Sequence, residues 1–259
     1  MISDKNLILR ITSAVILIIL TIFFNNIGGF YFLTLLFFSF FILNKELYSL
    51  FKIKVKSISF LLNCLFIYIS FIFIYYNFYF LVLITTLFGV TLNILLSKNK
   101  YFIPTLSYFY LAIPFYILIY LNNHYEGGKL IILWTLIIVW SSDTSAYILG
   151  TLIKGKKLIP SISPNKTWSG FISSLIIASL TSVIFSKFFL KTDFIYSLII
   201  GIIISFFTTI GDLFESYLKR INNKKDTSKL IPGHGGLLDR LDGFLFAIVV
   251  MYIFIFIWG

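Results

Sequence analysis

FIYSLIIGIIISFFTTIGD, residues Phe194–Asp212, decides the fold. It carries no charge until its last residue, and about 20 apolar residues in a helix are enough to cross the hydrocarbon core of a bilayer. Runs of this kind recur along the chain. They predict spans near 8–24, 29–46, 57–76, 78–96, 103–121, 130–150, 170–189, 194–212 and 243–258. The expected fold is all-α, a polytopic transmembrane helical bundle of about nine spans. Composition agrees: of 259 residues, 59% are hydrophobic and only 12% are charged, against about 25% charged in an ordinary soluble domain.

The first run lacks a small-residue cleavage site and further spans follow it, so it is expected to be a retained helix and not a signal peptide. The abundant Phe needs no ligand, because lipid-facing positions accept any large apolar side chain. Cys64 is the only cysteine, and His124 and His234 are the only histidines. That inventory speaks against a disulfide framework or a structural zinc site.

Charge fixes the expected orientation. With nine spans and the N-terminus inside, one face receives 18 of the 21 Lys and Arg and the other receives Lys129, Lys187 and Lys191. By the positive-inside rule the rich face is cytoplasmic. The expected location is the cell inner (plasma) membrane, with the polar segments 151–169 and 213–242 facing the cytoplasm. The net charge of +11 then forms a rim against anionic membrane lipids, and no nucleic-acid partner is needed. The motifs described next divide the chain into a transmembrane region at 1–125 and a motif-bearing transmembrane region at 126–259.

TTIGDLFESYLKR, Thr208–Arg220, continues the eighth span into the cytoplasm. A helix puts Asp212, Glu215, Ser216 and Lys219 on one face. Asp212 stands at the hydrocarbon edge, where a carboxylate is costly unless it is paired, metal-bound or wetted. The alternative is an amphipathic helix end with a single ion pair. In NNKKDTSKLIPGHGGLLDRLDG, Asn222–Gly243, Asp239 and Asp242 stand three residues apart at the start of the last span. A glycine turn before that helix brings backbone N–H groups and a helix N-terminus to one place, which suits an anion. Helix capping accounts for one aspartate there, but poorly for Asp212, Asp239 and Asp242 together. An oxygen-rich, histidine-poor set suits magnesium shared with substrate phosphates.

Two further segments carry polar residues. WSSDTSAYILG, Trp140–Gly150, places Asp143 inside an apolar span, which marks either a functional group or an inter-helix hydrogen bond. KGKKLIPSISPNKTWSG, Lys154–Gly170, offers Lys166 beside a hydroxyl and an indole, without the GxxxxGK[ST] pattern of a P-loop. Together these residues point to phosphoryl or nucleotidyl transfer on a lipid substrate.

The motifs resemble the C-terminal signature of the phosphatidate cytidylyltransferases, S-x-x-K-R, then K-D, then P-G-H-G-G-x-x-D-R-x-D. Here it falls on Ser216, Lys219, Arg220, Lys225, Asp226, Pro232, Gly233, His234, Gly235, Gly236, Asp239, Arg240 and Asp242. SDTSAYILG and SPNKTWSG are similar to two upstream stretches of that family, so the likeness covers residues 140–243. It implies an enzyme that joins CTP and phosphatidate into CDP-diacylglycerol and pyrophosphate. It also implies a magnesium requirement, a paired cation centre, and a homodimer.

Under that resemblance the metal-binding aspartates are Asp212 and Asp239. Asp143, Asp226 and Asp242 match further polar positions. Lys219, Arg220 and Arg240 are candidates for screening phosphate charge during catalysis. Lys166, Ser216, Lys225, Asp226, His234, Gly235 and Gly236 are candidates for holding substrate. Ser169 stands where the family often has Glu, and Gly243 where it commonly has Ser. Two other readings stay open: a CTP-dependent enzyme on another lipid acceptor, of the polyprenol kinase or CDP-archaeol synthase type, and an ion transporter whose aspartates line a path.

Overall fold

The computed structural model describes residues 4–54, 57–96, 102–231 and 235–258. Among them are nine helices: α1 (Asp4–Ile27), α2 (Gly29–Leu50), α3 (Ile58–Tyr75), α4 (Tyr79–Leu96), α5 (Phe102–His124), α6 (Gly128–Ile153), α7 (Trp168–Phe189), α8 (Phe194–Ile221) and α9 (Leu238–Trp258). Eight, α2 to α9, are long and apolar enough to cross a membrane; the apolar part of α1 is Thr12–Ile27. The protein is a multi-pass membrane protein built as an all-α bundle.

The helices outlast the predicted spans where polar residues continue the helical pattern. α8 runs on to Ile221 and α6 to Ile153. The two predicted tight connections close on left-handed residues: Gly28 (φ 72°) and Gly29 (φ 56°) between α1 and α2, and Asn77 (φ 64°) between α3 and α4. The 151–169 segment, expected as a loop, contains an antiparallel hairpin, β1 (Lys157–Ile159) and β2 (Ser163–Thr167).

The chain forms two compact units. One holds Met1–Lys129 with Asp226–Arg240, the other Leu130–Lys225 with Leu241–Gly259. In the first, α2, α3 and α5 meet around buried Phe40, Phe71 and Phe115, with the rings of Phe71 and Phe115 stacked at 5.9 Å. The same helices share a buried polar cluster. Ser107 donates to Asn44 (2.7 Å) and Asn63 (3.0 Å), and Asn44 donates to Asn63 (2.9 Å). Ser107 opens a π-helical turn, Ser107–Ala112, inside α5.

In the second unit, small residues let helices approach closely. A Cβ on Gly201 of α8 would lie 2.5 Å from the Ser179 Cα of α7, and one on Gly150 of α6 would lie 3.2 Å from the Gly170 Cα. Hydroxyls then tie the same helices. Ser182 donates to the Ser197 carbonyl (2.6 Å), Ser142 pairs with Ser205 (2.8 Å), and Trp134 Nε1 donates to the Ser182 carbonyl (3.2 Å). The Ser197 hydroxyl is within 2.6 Å of Ser186 Oγ and 2.8 Å of Thr192 Oγ1. Ser197→Ala is expected to destabilise the protein by about 0.6–1.7 kcal/mol, the range measured for polar inter-helix contacts in membranes. An unchanged unfolding midpoint in detergent would contradict that weight.

Candidate functional site

α8 and α9 touch through backbone. A Cβ on Gly211 would lie 2.5 Å from the Asp242 carbonyl oxygen, and one on Gly243 would lie 2.6 Å from Thr208 Cγ2 and 2.8 Å from Asp212 Oδ1. Only hydrogen at both positions permits this approach, and it brings the carboxylates of Asp212 and Asp242 into one neighbourhood. Asp242 Oδ1 accepts from the Gly243 N–H (3.0 Å). Asp242 also lies within electrostatic reach of Asp212, Lys166 and Lys219.

The hairpin delivers the lysine. β1 pairs with β2 through Lys157 and Thr167, and Thr167 caps α7 by accepting from the Gly170 N–H (3.1 Å). Lys166, one residue before that cap, reaches Asp212 Oδ2 at 2.9 Å. Arg220 ties the hairpin to the end of α8 by donating from Nε to the Ile162 carbonyl (3.1 Å). Lys166 and Asp212 keep 27% and 21% of their side-chain surface exposed, so a ligand can reach the pair.

One turn along α8, wholly buried Glu215 pairs with Lys219. The cytoplasmic end of α8 thus carries two ion pairs, Asp212 with Lys166 and Glu215 with Lys219, where the alternative reading had a single one.

In the other unit Asp239 stands in the first turn of α9. Its Oδ2 accepts from the Gly236 N–H (2.8 Å), the Thr227 N–H (3.0 Å) and the Thr227 hydroxyl (2.9 Å). The Gly236 bond has the spacing of the backward half of a capping box. The glycines make room for it. Gly235 adopts φ 86°, and a Cβ there would lie 2.7 Å from Asp239 Oδ2; one on Gly236 would lie 2.1 Å from Thr227 Oγ1.

The helix end has a second carboxylate, one that was not among the candidates read from the sequence. Buried Glu46 of α2 accepts from the Leu237 N–H (3.0 Å), the Leu238 N–H (2.7 Å) and the Ser228 hydroxyl (2.6 Å). The signal was there: Glu46 is a lone carboxylate at the end of an apolar span.

The remaining candidates are more open. Asp143 is exposed on α6, while its neighbours Ser141, Thr144 and Ser145 help line a groove of about 460 Å³ with Trp140, Ile148, Leu149 and Ile177. Ser216 is half-buried; Lys225, Asp226, Arg220 and Arg240 are exposed. His234, with Pro232 and Gly233, lies outside the described residues.

The donor chemistry fits a hard cation. Among the described residues no three His, Cys, Asp or Glu converge, and the Asp212–Asp242 neighbourhood offers two carboxylates with the Lys166 ammonium against one of them. Magnesium is held by one or two carboxylates plus water and substrate phosphates, and a pair of carboxylates is compatible with that mode.

The family model described as "Cytidylyltransferase family" matches residues 8–258. The chain is 40% identical over 149 residues to the phosphatidate cytidylyltransferase of Bacillus subtilis (strain 168), covering 57% of this chain and 55% of the relative. It is 40% identical over 163 residues to that of Staphylococcus saprophyticus, covering 61% and 62% of the two chains. To that of Rickettsia prowazekii it is 38% identical over 161 residues, covering 58% and 70%. The matched stretch thus spans less than two thirds of the first two relatives' length. With the family model running almost end to end, the chain belongs to the cytidylyltransferase family, the family of the phosphatidate cytidylyltransferases it resembles.

Proposed function

We propose that the protein transfers cytidylate from CTP to phosphatidate, giving CDP-diacylglycerol and pyrophosphate for phospholipid synthesis. The observation that carries this reading is the half-open Lys166–Asp212 pair at the glycine crossing of α8 and α9, beside Asp242. A cation and carboxylates at the ends of membrane helices suit a reaction between a nucleotide and a lipid phosphate.

The phosphate of phosphatidate is already a nucleophile at neutral pH, so no side-chain base is required. One of its oxygens attacks the α-phosphorus of CTP in line. A new phosphorus–oxygen bond forms as the bond to the bridging oxygen breaks, and pyrophosphate leaves with the electron pair. Lys166 and Lys219 donate to phosphate oxygens from the hairpin and from α8. Arg220, Arg240 and Lys225 add positive charge, and Ser216, Asp226, Gly235, Gly236 and His234 shape the substrate site. Asp143 and Asp242 are further catalytic candidates, carried over from the resemblance. Asp212 and Asp239 would hold magnesium, both carboxylates being assigned by the resemblance. Bound there, the metal would offset charge developing on the nucleotide oxygens and the leaving group; a second cation would complete the paired centre that the resemblance implies.

The lysine and arginine asymmetry supports a cytoplasmic N-terminus and a cytoplasmic site in the plasma membrane. The working form is a homodimer among membrane lipids, without nucleic acid. The test is lipid-linked cytidylate formed from labelled CTP by purified protein in phosphatidate micelles. Product is expected with magnesium and loss of product with chelator. Product from a polyprenol or an archaeal ether lipid, and none from phosphatidate, would move the reading to another acceptor.

A further inference from the structure

Four carboxylate-centred features stand outside a simple membrane bundle: Asp212 with Lys166, Glu215 with Lys219, Asp239 with Thr227, and Glu46. The last has no part in the function proposed above. Its side chain is 4% exposed, in a helix of otherwise apolar character, and it is not paired to a cation by any short contact among the described residues. Burying such a group is costly unless its oxygens are fully engaged. They are engaged by the segment that carries Asp239.

The geometry is specific. Glu46 takes the Leu237 and Leu238 N–H groups at the start of α9, where backbone donors have no partner within the helix. It also takes the Ser228 hydroxyl, and it stands 3.4 Å from the Thr227 hydroxyl. Thr227 in turn supplies two of the three donors on Asp239 Oδ2. A Cβ on Gly236 would lie 2.7 Å from Glu46 Oε1, so the turn is closed down onto this carboxylate. One side chain thus holds residues 227–228 and 237–238 against α2.

We infer that Glu46 is a positioning residue for Asp239, setting through Thr227 and the α9 N-terminus the carboxylate that binds the divalent cation. This rests on the assignment of Asp239 to the cation given above. Groups that orient a metal-binding side chain typically change metal affinity or activity by about 10- to 100-fold when removed. A residue that only stabilised the fold would lower the melting temperature and leave the cation affinity of the folded protein alone.

The test uses full-length protein in detergent and manganese as the probe, followed by electron paramagnetic resonance without nucleotide or lipid. Glu46→Gln keeps the size but presents an amide donor to backbone donors. It is expected to weaken manganese binding about 10-fold or more, and to raise by a similar factor the magnesium needed for half-maximal turnover. Thr227→Val is expected to do the same, and Thr227→Ser, which restores the hydroxyl, to recover binding. The threonine pair decides the matter if Glu46→Gln does not fold. Unchanged manganese affinity in a folded Glu46→Gln protein, or in Thr227→Val, overturns the inference while leaving the proposed reaction standing. Manganese that binds wild type and Asp239→Asn equally would instead remove the cation assignment beneath it.

Discussion

Asp212→Asn is expected to lower cytidylate transfer by at least about 100-fold with the fold intact. The substitution keeps the side chain's size at the α8–α9 crossing, where Oδ1 faces Gly243, so packing changes little. It removes the negative charge that pairs with Lys166 and that is assigned to the cation. Metal-ion stabilisation of transferring phosphates is worth several kcal/mol, and each ~1.4 kcal/mol is tenfold in rate. The check is initial rate against magnesium concentration, with a melting curve on the same sample. A folded variant with more than about a tenth of wild-type turnover at saturating magnesium would end the assignment of Asp212 to the metal.

Gly211→Val is expected to cost both stability and activity. Its Cβ would meet the Asp242 carbonyl oxygen at 2.5 Å and the Gly243 Cα at 3.0 Å. Backbone cannot swing aside as a side chain can, so α9 must move away from α8. Overpacking of this kind costs about 1–3 kcal/mol. The same displacement parts Asp212 from Asp242, and misplacing catalytic groups by about 1 Å reduces rates by about 100-fold. Thermal unfolding and turnover should therefore fall together. The control is Phe80→Val on α4, where the ring is 74% exposed. Equal behaviour of the two variants would show that the crossing does not set the site.

The bundle was legible in the sequence because the bilayer demands long uninterrupted apolar runs, and a run such as Phe194–Asp212 leaves little choice of element. The turns at Gly28 and Asn77 were legible for a related reason, since few residues tolerate a left-handed backbone. The hairpin at 157–167 was not. Its strands are three and five residues long and alternate no apolar face, so periodicity carries no signal. Asp212, Asp242 and Lys166 stood out as polar residues at membrane boundaries, and the structure gathers those three. Glu46 was visible only as a carboxylate at a span end; what it holds was not, because its closest partners lie 182 to 192 positions away. The close approach of Gly211 to Gly243 escaped for the same reason, since a single glycine in a helix looks alike whether it faces lipid or another backbone.

Lys166 also gives the resting protein a counter-ion of its own. Carboxylates gathered at a helix crossing repel one another, and the ammonium on the hairpin relieves that repulsion from 2.9 Å away. A single ion pair this open to water is worth about 1 kcal/mol or less. Under the proposed reaction, an arriving triphosphate would take the place of Asp212 on the lysine at little cost, so one ammonium would serve an internal anion first and a substrate anion afterwards.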